Sequence, residues 1–171
     1  MTNPSQPEPW LRGTHGELPA VIRAALHALE LAHEDIQRWC GELSDDELNA
    51  RPAGLPSVAF HVNHICGSLD RLLTYAEGRE LDENQLSMVD REVEFRSYGP
   101  ILFRQLAQTL ARSEDRLRAF TEGDLQQPRF VGRRRLPTSL GGLLVHIADH
   151  TQRHVGQAIT TARIVRQHRQ L

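Results

Sequence analysis

The amino-acid sequence predicts an all-α fold: a four-helix bundle with long helices and a short extra helix between the second and the third. Three observations predict it. Four long stretches repeat apolar residues at alternating spacings of three and four, which marks one face of a helix. Proline and glycine punctuate the joints between these stretches. No stretch alternates in the manner of a run of strands. Four amphipathic helices of twenty-odd residues each bury their apolar faces most simply against one another.

Residues 1–16 hold three prolines and two glycines with little periodicity, and read as an extended arm. The domain division is therefore an arm over 1–17 and a helical domain over 18–171. Pro19 suits a first helical turn. From there Ile22, Leu26, Leu29, His33, Ile36, Cys40 and Leu43 mark the inner face of the first long helix, ending near Gly41–Leu43. Ser44 and Glu47 have the spacing of a capping box, which predicts a further short helical turn. Arg51 to Pro56 is a loop. The second long helix runs from Pro56 to about Glu77, with Gly78 as its stop. Its apolar seam is Val58, Val62, Ile65, Leu69 and Leu72. Leu86, Val89 and Val93 predict the short extra helix in an otherwise polar stretch over 79–97. Gly99 and Pro100 precede the third long helix, with Leu102, Leu106, Thr109, Ser113, Leu117 and Phe120 along one face. Gly123 to Pro137 reads as loop. The fourth helix starts at Thr138 or Ser139 as N-cap and runs to about 166. Its expected inner stripe is Leu143, Ile147, His150, His154, Gln157, Thr161 and Ile164.

A chain of 171 residues suits one domain with a sizeable core. The formal net charge of -2 is mixed along the chain and leaves no basic face for nucleic acid. Arg133, Arg134 and Arg135 are too short a cluster to change that, and read as a solvated loop or an anion contact. Cys40 and Cys66 are far apart and outside any CxxC pattern, so neither a disulfide framework nor a thiolate zinc site is expected. Free thiols point to a reducing cytoplasm. The first residues do not read as a signal peptide, and no apolar run is long enough to span a membrane.

Nine histidines is a high count, and five of them fall in two short segments. His150 and His154 lie four residues apart, so both project from one side of a helix and can meet one ion. Both are expected on the core stripe, where Leu or Ile would be ordinary. A buried ring nitrogen without a partner costs roughly 1–3 kcal/mol, and either a metal ion or a hydrogen-bond network meets that need. His61 and His64 share a side of the second helix, in a polar stripe with Ser57, Ser68, Arg71 and Tyr75 that runs beside the apolar seam. Helical geometry leaves open which of the two would be a third ligand. Three histidines with an open position is the coordination of a catalytic site. His146 reads as a supporting or surface residue, His33 as a satisfied core histidine, and His15, His27 and His168 as ordinary.

The run HTQRHVGQ from His150 to Gln157 resembles the HxxxHxGQ motif in the last helix of the DinB/YfiT-like superfamily. His64 to Ser68, HICGS, is similar to the H-[LI]-x-x-S element of its second helix. The resemblance covers about Pro19 to Val165 in helix order and loop placement. It implies a four-helix bundle with a histidine triad on nickel or zinc. Carried over, the ligands are His64, His150 and His154, which selects His64 over His61. It also implies a homodimer and, for some relatives, transfer of a low-molecular-weight thiol such as bacillithiol or mycothiol.

Gln157 and Ser68, each one turn past a ligand, are candidates to orient one, and His61 stands beside them as a supporting residue. Asp149 is adjacent to His150 and so points elsewhere. Gly156 either lets a neighbouring helix approach or is a tolerated glycine, and Arg71 and Arg153 read as solvated in preference to contacts with an acidic thiol cofactor. The leading expectation is a metal-dependent enzyme that transfers a thiol to an electrophile or hydrolyses a small molecule with activated water. Its rivals are a non-catalytic metal- or ligand-binding bundle, such as a sensor, and a bundle whose histidines only hydrogen-bond.

Overall fold

Periodic apolar residues build the helices at the expected places. The computed structural model describes residues 6–92, 95–120 and 125–168. The helices are α1 (Ala20–Cys40), α2 (Asp45–Asn49), α3 (Val58–Ala76), α4 (Glu83–Arg91), α5 (Gly99–Arg118) and α6 (Leu140–His168). Short polar side chains start four of them. Ser44 and Glu47 form the expected capping box at α2, and Asp82 with Gln85 forms another at α4. Ser57, rather than Pro56, caps α3 by accepting a hydrogen bond from the Phe60 N–H at 3.1 Å.

The fold is all-α in its long elements. α1 packs on α5 and α6, and α3 packs on the same two helices. The core lies among these four and gathers Leu26 and Ile36 with Ile65, Leu69, Leu102, Leu106, Leu144 and Ile147. None of the helices is long and apolar enough to cross a membrane, among the described residues.

Three expectations need correction. Residues 128–137 are not all loop. Pro128–Val131 (β1) pairs antiparallel with Leu136–Ser139 (β2), closed by a turn with Gly132 at φ 71°. Phe130, Val131 and Leu136 favour extended backbone, but four residues per strand is too short a signal to separate from loop. Gly123 itself, like Val93 of the extra helix, lies outside the described residues. The run before α1 is not extended over its described part. Pro9–Leu11 is a 3-10 turn, Pro9 and Leu18 are buried, and the Arg12 guanidinium grips both carboxylate oxygens of Glu34 at 2.6 and 2.8 Å. The third correction concerns the inner faces of α1 and α6. His33 is exposed, with Ala32 and Ile36 inside. On α6, Thr151, Val155, Ala158 and Ala162 fill the core positions, while Gln157 is exposed and His150 and His154 are half-buried at the edge.

Ser139 begins α6 as expected: its Oγ accepts from the Gly142 N–H at 3.1 Å. Ser139→Ala is expected to cost about 1 kcal/mol of stability, the usual worth of such a cap, and a urea denaturation series would show it as a lowered midpoint at unchanged slope.

Candidate metal centre

Two helices and one helix end bring the titratable groups together. α3 supplies His61 and His64, and α6 supplies His150 and His154. The packing of α3 against α6 turns the two pairs toward each other. The ring centroids of His64, His150 and His154 lie 4.3 to 5.1 Å apart. One ring nitrogen from each of these three lies within 4.8 Å of the others, so the trio could hold a metal ion. Nε2 of His64 and Nε2 of His150 are 3.4 Å apart. That separation is close to the edge of a tetrahedron with Zn–N bonds of about 2.0–2.1 Å.

A layer of partners surrounds the trio. Nδ1 of His64 lies 2.6 Å from Oε2 of Glu92, and Nη1 of Arg71 donates to Oε1 of the same carboxylate at 2.6 Å. An ionised carboxylate only accepts, so Nδ1 of His64 donates to it. His61 is almost fully buried at 3% exposure, and its Nδ1 is 3.2 Å from Nδ1 of His154. If His154 donates there, its own Nε2 is free in turn. Nδ1 of His150 is buried and has no hydrogen-bond partner among the described residues. Hydrogen bonds within the cluster therefore leave one ring nitrogen unmet.

Electrostatics keeps the cluster in the form a metal needs. Burial, and after it the neighbouring histidines, push His61 and His150 down to about 4. Burial, then His64 and Arg153, push His154 to about 4 as well. Each of these imidazoles is neutral at pH 7 and offers a lone pair. Burial alone would raise the Glu92 carboxyl. The hydrogen bonds from His64 and Arg71 outweigh it and hold the group below its ordinary range. The donor set fits a divalent ion: three convergent imidazoles, one of them hydrogen-bonded to a buried carboxylate.

A second trio makes an instructive contrast. His15, His27 and Glu30 also bring ligand-type atoms within 4.8 Å. Here the Arg118 guanidinium donates to Nδ1 of His15 at 2.8 Å, and Nε2 of the same ring donates to Glu30 at 2.7 Å. Both nitrogens of His15 are spent. His27 is tied to Thr14 Oγ1 at 3.0 Å. This trio fastens the N-terminal segment to α1.

A cleft of about 380 Å³ opens beside the centre. His64, His150 and Ser68 lie on its wall, with Leu72, Leu86 and Val89 as apolar lining and Arg133 at the hairpin turn. Ser68 is buried and donates to the backbone carbonyl of Ile65 at 3.1 Å, so it lines the cleft without holding His64. His146 is also on the wall, its side chain 46% exposed. Gln157 is exposed in a separate cleft with His61, Arg153 and Gly156, and makes no hydrogen bond to the cluster. Among the described residues nothing lies within 4 Å of where a Cβ on Gly156 would be, so none of the described helices approaches closely there. Arg153 pairs with Asp149 on the surface at 2.6 Å.

Sequence reading missed two residues. Glu92 lies in the otherwise polar stretch over 79–97, and nothing in its spacing ties it to a histidine 28 positions earlier. Arg71 is not solvated as its position suggests: its side chain is 13% exposed and paired to Glu92.

A family model described as the DinB superfamily matches residues 28–158, well over half of the chain. No curated protein and no solved structure matches it.

Proposed function

The chain belongs to the DinB superfamily, and on that premise we propose a four-helix-bundle metalloenzyme in which His64, His150 and His154 hold a nickel or zinc ion. The convergence of three imidazoles beside an open cleft carries this reading. When bound, the ion supplies Lewis acidity that makes a thiol or water nucleophilic at neutral pH. The reaction we favour is transfer of a low-molecular-weight thiol to an electrophile, with hydrolysis by activated water beside it. The protein's own residues do the rest. Leu72, Leu86 and Val89 hold an apolar group and exclude water, and Arg133 offers a charge to an anionic one. The family resemblance suggests a homodimer, and two buried free cysteines support a cytoplasmic setting. The proposed partner is a small molecule, with neither nucleic acid nor membrane.

A non-catalytic metal-binding role has one observation in its favour. No carboxylate lines the cleft among the described residues, and Glu92 is held by two partners. Purification without a metal-affinity tag, followed by metal analysis and a thiol assay with chlorodinitrobenzene, separates the two. About one equivalent of metal and metal-dependent turnover is the expected result. Less than about a tenth of an equivalent after reconstitution would remove the metal reading. Full metal loading without turnover across a panel of thiols would favour the binding role.

A further inference from the structure

We propose that Glu92 is a positioning residue for this centre: held by Arg71 in space left by Gly67, its carboxylate fixes the His64 proton on Nδ1 and leaves Nε2 free for the ion. The ion in that statement rests on the function proposed above; the position of the proton does not.

Three observations carry it. Glu92 is only 5% exposed although it stands just past the end of α4. A buried carboxylate of this kind needs strong partners, and it has two at 2.6 Å, one on each oxygen. The third observation is Gly67, in the middle of α3. A glycine there costs about 1 kcal/mol relative to alanine. A Cβ at this position would sit 2.6 Å from Oε1 of Glu92 and 2.8 Å from Nη1 of Arg71. The missing side chain is the space in which the carboxylate and guanidinium meet. His64, Gly67 and Arg71 thus share one side of α3, at spacings of three and four, and Glu92 docks across them.

The amide at Glu92→Gln separates this role from simple packing. An amide has one accepting end and one donating end. Arg71 has only donors, so it takes the oxygen. The NH₂ then faces Nδ1 of His64, which must accept, and the ring proton moves to Nε2. A protonated Nε2 cannot bind a metal. Removing the competitor as well, in Glu92→Gln with Arg71→Met, frees the amide oxygen to return to His64.

The test reads both the proton and the metal. Long-range ¹H–¹⁵N spectra of the metal-free protein are expected to show His64 protonated on Nδ1 in the wild type, on Nε2 in Glu92→Gln, and on Nδ1 again in the double variant. Calorimetric titration with zinc chloride is expected to show affinity falling about 10- to 100-fold in Glu92→Gln, with most of the loss recovered in the double variant. A wild-type His64 protonated on Nε2 overturns the proposal, and that measurement needs no variant to fold. So does a Glu92→Gln protein within twofold of the wild-type zinc affinity, or a double variant that binds no better than Glu92→Gln. Wild-type protein that binds no zinc sinks the metal reading instead, and the spectra still decide the proton.

Discussion

His150→Ala and His154→Ala are each expected to lower divalent-metal affinity by two to three orders of magnitude. A four-ligand zinc site contributes roughly 10–16 kcal/mol, so one ligand of four is worth about 2.5–4 kcal/mol. Both rings are half-buried at the edge of α6, and the core positions beside them belong to Thr151 and Val155. Truncation therefore removes a ligand without opening a cavity among the core leucines, and helix content of the metal-free protein should stay near wild type. His146→Ala is the matched control. Its ring lies 5.4 Å from that of His150 yet is outside the trio whose nitrogens converge. It should change affinity by less than about threefold. Competition with a chromophoric chelator measures all three. Equal affinity in wild type and His154→Ala would dissolve the centre; a large effect of His146→Ala would move it toward the cleft mouth.

The contrast between these residues also shows what the sequence could and could not reveal. The helical signals were legible because each rests on local chemistry: a 3.6-residue repeat, a capping serine, a glycine stop. The helix faces were less so. On α6 a stripe through Leu143, Ile147, His150 and His154 and one through Leu144, Ile147, Thr151 and Val155 are both compatible with a helical repeat. Packing of one face against both α1 and α3 selects the second. The histidines therefore flank the core stripe and do not lie on it. Their HxxxH spacing and the family motif were the sounder signals. Glu92 was illegible because its partnership with His64 depends on where α4 docks, which no local pattern encodes. Gly67 left a faint trace, as a glycine inside a strongly helical run and inside the HICGS element.

The metal-free protein is expected to lose stability steeply as pH falls from about 6.5 to 4. His61, His150 and His154 each drop from an ordinary value of 6.5 to about 4 in the folded state, chiefly through burial. Above 6.5 both folded and unfolded chains hold these rings neutral, and no penalty exists. Between 6.5 and 4 the unfolded chain takes up protons that the folded chain refuses, so acid favours unfolding. Below 4 the penalty is complete. At about 1.4 kcal/mol per pH unit, the nearly fully buried His61 alone accounts for about 3 kcal/mol. His150 and His154 add less, because solvent screens their half-buried rings and the three titrate as a coupled group. A combined loss of about 3–6 kcal/mol is a large share of the roughly 5–15 kcal/mol typical of a domain. The carboxylates held low by arginines, Glu34 and Glu77 among them, act in the same direction but at lower pH, so the upper part of the window belongs to the histidines. Urea midpoints measured without metal at pH about 7, 6, 5 and 4.5 should therefore fall throughout. The decline should be shallower in His61→Gln, which removes the most buried of the three. A midpoint unchanged from pH 6.5 to 5 would mean that the cluster is open to water, and that metal binding must desolvate the histidines itself.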